Sequence, residues 1–237
     1  MTRPLSEPSI LATLLVIAAA VAAPSELCAQ QRELDRGVLL ITRDAATIGR
    51  EEFVLLRGSS GAPGQSGFTV TSTVLYPADR PETSVNAMVE FGADSVPTMS
   101  RYEVGNGEVV RVVMGLGARR ITVRTLTRAG ESAREYPARE RHLVMDDSVF
   151  AAHAIPPGAA ARATRSITLS GVRGETLRIV DHGMEPTTVG PDRPVLRHVT
   201  VSSPAETRQL WYDEDGRLMK LVIPTRNITV IRIQAGQ

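Results

Sequence analysis

The side chains best suited to do chemistry crowd into one short stretch, where His142, Asp146, Asp147 and His153 stand close together. Imidazoles beside carboxylates can act as base and orienter toward a water, or can ligate zinc or calcium. A periplasmic hydrolase or a metal-dependent enzyme would use this segment, with His142 or His153 as base and Asp146 or Asp147 as orienter or ligand. The simpler reading is that Asp146 and Asp147 cap a short helix while the histidines occupy a surface loop. Histidine spacing favours the simpler one. His142, His153, His182 and His198 include no HxH or HxxxH pair, so no metal site is assigned.

Other catalytic patterns fail their context tests. Ser60 and Ser66 lie in a glycine-rich stretch without a GxSxG elbow, and a triad of Ser148 with His153 or His182 and Asp181 would join only common residues. Gly115-Leu116-Gly117 has no third glycine at dinucleotide spacing, and strand rather than helix follows, so no cofactor is expected. Asn227-Ile228-Thr229 matches a glycosylation sequon by chance. Trp211 is the one ring that could line a ligand groove, or it could anchor the sheet.

Composition narrows the field further. The 237 residues carry a formal net charge of +1, which gives nucleic acid no electrostatic footing. Hydrophobic residues at 42% and charged residues at 22% are those of a chain that folds. Lys220 is the only lysine among 27 basic residues, a bias that codon usage accounts for because the arginines are scattered.

The amino terminus reads as an export signal. Ile10 to Ala23 is an uncharged apolar run, too short to span a bilayer as a helix and suited to a signal-peptide core. Cleavage is expected after Ala29, leaving residues 30–237 as one β-rich domain after a 1–29 signal peptide. Cys28 follows Ser25-Glu26-Leu27 rather than a triplet ending in small residues, so lipidation there is not expected. The mature chain would then hold no cysteine, hence no disulfide or thiolate chemistry. No second apolar run suggests a transmembrane segment. The location implied is periplasmic or envelope-associated.

Those residues must be positioned by strands. Gly67 to Tyr76 alternates, with Phe68, Val70, Val74 and Tyr76 on one face and Thr69, Thr71 and Thr73 on the other. Ser84 to Phe91 repeats the pattern, and 109–114, 120–127, 165–169 and 176–180 read as further strands. Four more close the chain: 195–201, 206–212, 217–223 and 227–233, with Asp215-Gly216 at a tight turn. Gly58 to Gly67 reads as a hairpin tip, and 139–154 holds at most one short helix, near 146–153. The fold class expected is all-β and mainly antiparallel, a single curved or rolled sheet of consecutive hairpins.

The tail Leu210-Trp211-Tyr212-Asp213, then Asp215-Gly216-Arg217-Leu218, Lys220-Leu221 and Ile223-Pro224, resembles the closing hairpin of exported bacterial proteins of a domain-of-unknown-function family. Gly49-x-Glu51-x-Phe53 and the Asp146-Asp147 segment fit the same layout. The resemblance implies a spiral β-roll, or a curved single sheet, and an envelope location. It transfers no catalytic residue.

Several strands are apolar on both parities: Phe53 and Leu55 against Val54 and Leu56, and Met219, Leu221 and Ile223 against Leu218 and Val222. Such strands need cover on both faces. The function expected is therefore non-catalytic: a curved sheet that binds a lipid or other apolar small molecule, or an envelope protein partner. A strand-adding adaptor is a further possibility, and it requires an exposed edge at 227–233.

Overall fold

The computed structural model describes residues 31–58, 67–105, 109–117, 119–138, 141–157, 162–168 and 171–233. The apolar amino-terminal run, Cys28, Ser60 and Ser66 lie outside the described residues.

Alternating sequence becomes alternating burial. The strands are β1 (Arg32–Arg43), β2 (Ala46–Arg57), β3 (Phe68–Tyr76), β4 (Thr83–Phe91), β5 (Pro97–Gly105), β6 (Val109–Leu116), β7 (Arg120–Thr127) and β8 (Gly130–Pro137). After a crossing segment come β9 (His142–Val144), β10 (Arg162–Thr168), β11 (Gly171–Pro186), β12 (Val195–Ser202), β13 (Thr207–Tyr212), β14 (Leu218–Ile223) and β15 (Ile228–Ile233). All fifteen join one sheet in the order β8-β7-β6-β5-β4-β3-β2-β1-β15-β14-β13-β12-β11-β10-β9. Neighbours are antiparallel except β9 and β10, which run parallel. The fold class read from the alternation is the one observed: all-β, a single sheet, not closed into a barrel.

One face of this sheet is the core. Leu39, Ile41, Phe53, Val70, Val74, Tyr102, Met114, Ile121, Leu210, Tyr212, Leu221 and Val230 belong to one continuous buried cluster that spans strands from both halves. Burying a side chain of this kind contributes roughly 1.5–3 kcal/mol. The cluster includes Val149, Phe150, Ala151, Ala152 and Ile155, so the segment linking β9 to β10 crosses the interior and packs on β2 and β3.

Two expectations are corrected here. The C-terminal strand offers no edge for strand addition, since β15 pairs with β14 on one side and with β1 on the other. The sheet edges are β8 and β9. Asp146 and Asp147 do not cap a helix. Asp146 Oδ1 accepts the N–H groups of Ser148 (2.8 Å) and Val149 (3.1 Å), which closes a turn before the only helical element there, the 3₁₀ turn Ala151–Ala154.

Candidate functional site

The crossing segment is held chiefly through its backbone. Glu51, wholly buried on the inner face of β2, accepts N–H of Phe150 at 2.8 Å and of Ala151 at 3.1 Å. Tyr76 donates its hydroxyl to Ser148 O at 2.8 Å, and Tyr212 donates to His153 O at 3.0 Å. Arg208, fully buried on β13, spends its guanidinium on the same segment. Its Nη1 donates to Asp146 O (2.6 Å) and meets His153 Nε2 (3.2 Å), its Nη2 donates to Met145 O (2.9 Å) and Asp147 Oδ1 (3.1 Å), and its Nε donates to Glu206 (2.7 Å). A buried loop must satisfy its polar backbone somewhere. Here four side chains projected by β2, β3 and β13 do so.

Each residue singled out from sequence has a place in this arrangement. Asp146, Asp147 and His153 gather around Arg208, whereas His142 turns to Pro97 O at 2.7 Å, tying β9 to β5. Asp147 also ion-pairs with Arg226 at 3.0 Å and Arg173 at 3.6 Å. Because a guanidinium donor faces His153 Nε2, that nitrogen accepts and the ring proton sits on Nδ1. Burial, with the nearby Arg208 charge, lowers the His153 pKa to about 3. An imidazole in that state holds a lone pair already committed to Arg208. Burial pushes Glu51 up to about 7, with Asp146 adding to the rise and the two N–H donors opposing it. A cleft of about 310 Å³ passes Asp147 and Ser148, and His142, Asp146 and His153 do not line it. Among the described residues no three His, Cys, Asp or Glu side chains converge as a cation site. Ser148 is not joined to a histidine: His153 bonds to Arg208, and His182 Nε2 to Thr200 Oγ1.

Trp211 lies on the opposite, outer face of the sheet and is only 5% exposed. Cross-strand register places His198 and Lys220 directly beside it on β12 and β14. The His198 ring stacks on the indole at 4.6 Å, His182 stacks on His198 at 4.6 Å, and the Lys220 ammonium covers the other indole face at 5.0 Å. Glu185 accepts the indole N–H at 3.1 Å and pairs with His198 Nδ1 at 2.9 Å, and these contacts, the indole first, hold its carboxyl below the usual value. His182 reaches the column through a bulge between Asp181 and Gly183, where Gly183 takes a φ of 79°. With both faces covered, Trp211 anchors a ladder rather than offering a platform.

A feature not singled out from sequence lies farther along the outer face. A groove of about 890 Å³ crosses β14, β15 and β1 to β4. Met219, Ile233, Val38 and Val54 supply its apolar wall, Thr71, Thr73 and Asn86 its polar end, and Arg36, Arg50, Arg217 and Arg232 the cations around it. Val54, Met219 and Ile233 are half-buried, and Met219 also packs against the outer cluster around Trp211. The sequence signal was the double parity of β2; in β14 the expected grouping is corrected, since an irregularity in its pairing with β13 puts Leu218 in the core with Leu221 and Ile223 and turns Met219 and Val222 outward. Phe53 and Leu55 face the core, and Val54 and Leu56 face outward. Compared with known proteins, the chain matches no protein-family model, no curated protein and no solved structure.

Proposed function

We propose that this is an exported, non-catalytic envelope protein that holds an apolar small molecule in the outer groove bounded by Val38, Val54, Met219 and Ile233. The observation that carries this reading is where the apolar surface goes. The inner face is filled by the crossing segment, so a ligand between the layers would have to displace a packed core. The outer parity of β1, β2, β14 and β15 carries aliphatic side chains into a concavity, and its volume of about 890 Å³ is that of a small-molecule site. Export rests on the Ile10–Ala23 run.

The chemistry of the 142–153 segment supports a mechanical role beside this one. Its carboxylates and imidazoles are tied to arginines and backbone groups, and they hold the interior that keeps the groove walls in place. A titration with an uncharged naphthylamine fluorophore tests the binding reading. The protein should enhance its emission saturably, and Val54→Asp, at a half-buried outer position, should abolish the enhancement while leaving the circular dichroism spectrum unchanged. Equal enhancement by the wild type and Val54→Asp would defeat the assignment.

A further inference from the structure

Resting on the groove reading, we infer that the ligand is an anionic amphiphile, a single apolar chain ending in a carboxylate or comparable oxyanion, whose head group Arg50 receives. Four arginines, Arg36, Arg50, Arg217 and Arg232, line the groove, and each already stands in an ion pair. Three of those arginines are held from one side. Arg232 lies on Asp35 at 2.6 Å and on Arg36 O, Arg36 on Glu33 at 2.8 Å, and Arg217 on Asp215 at 3.0 Å.

Arg50 differs. Its Nη2 donates to Glu52 at 2.9 Å, while its Nε is enclosed and meets no hydrogen-bond partner. An enclosed donor left unmet is unfavourable, and an oxyanion that draws this guanidinium toward the groove would relieve it. Register puts Arg50 opposite Leu40 and Leu75, and Glu52 opposite Val38 and Thr73. The aliphatic wall gives way to Thr73 and Asn86, whose side chains bond to each other at 2.9 Å, beside Glu52, and Arg50 is the next outward residue of β2. A chain lying over Ile233, Val38 and Val54 brings its end group to this boundary. A guanidinium fork suits a carboxylate in both shape and charge.

The test is calorimetric titration of the mature protein with three amphiphiles of equal chain length below their micelle thresholds: laurate, dodecyl maltoside and dodecyltrimethylammonium. Laurate should bind about tenfold or more tighter than the other two. Arg50→Gln should lower laurate affinity about tenfold and leave the maltoside unchanged, whereas Arg120→Gln, an exposed arginine of β7 outside the groove, should change neither. Equal affinity for the three head groups would overturn the inference while leaving the groove reading intact. So would an Arg50→Gln variant that keeps its laurate affinity. If none of the three binds, the groove reading itself fails and takes the inference with it.

Discussion

At the scale of single residues, the interior joins groups that titrate in opposite senses. Glu51 keeps its proton up to about pH 7 in the fold, against 4.5 ordinarily, so the stability it contributes is complete below 4.5 and falls as pH rises through 4.5–7. His153 refuses its proton down to about pH 3, against 6.5, so its contribution is complete above 6.5 and falls as pH drops through 6.5–3. Between 4.5 and 6.5 the two slopes oppose, each about 1.4 kcal/mol per pH unit at most. Relative to wild type, Glu51→Gln should therefore gain stability as pH rises from 4.5 to 6.5, and His153→Gln should lose it. Urea unfolding at pH 5 and pH 6 reads the difference; variant curves parallel to wild type would refute the coupling. Arg208 carries a heavier load. Arg208→Met strips hydrogen bonds from two buried carbonyls, and deprives Asp147 and Glu206 of a partner that is itself fully buried. A loss of about 3–5 kcal/mol is expected in the same assay.

At the scale of elements, the strands depend on small concessions at particular positions. Gly49 is one, because a Cβ there would overlap the Tyr76 ring and drive its hydroxyl off Ser148 O. Gly49→Ala should cost roughly 1–3 kcal/mol by overpacking, measurable by thermal unfolding. The Gly49-x-Glu51-x-Phe53 pattern thus has a physical reading: clearance for a ring, a carboxylate to hold the crossing segment, and a core aromatic, all on one face of β2. The ladder makes a separate prediction. Trp211 is the sole tryptophan, so its fluorescence should resist acrylamide in the native state and become accessible on unfolding. Native quenching as strong as in urea would show that the stacked column does not form.

The same scale shows which elements could be read in advance. β3, β4 and β12 to β15 declared themselves through alternation and tight turns, since each buries one face. β8 was invisible because Gly130 to Pro137 is exposed on both faces but for Tyr136, leaving no apolar period to detect. β9 is three residues long, paired in parallel with a strand some twenty residues later, a relation no local pattern encodes. The His142–His153 cluster was legible as a concentration of charge. Its role was not, because the decisive partner, Arg208, sits about sixty residues away and is an ordinary strand arginine until the roll brings it inward.

At the scale of the whole molecule, one long sheet meets the demand of two-faced apolar strands in two ways. The inner face is closed by the crossing segment, pinned by Glu51, Tyr76, Arg208 and Tyr212. The outer face is closed locally by the Trp211 ladder and left as a groove over β1, β2, β14 and β15. Double parity in the sequence forecast a need for cover without saying which face lacked it. Native mass spectrometry of the protein purified from a bacterial periplasm, paired with organic extraction, decides whether the outer groove holds an apolar molecule. An adduct on the wild-type mass that extracts as an amphiphile and is absent from Val54→Asp is expected. A clean apo mass for the wild type, with nothing in the extract, would contradict it.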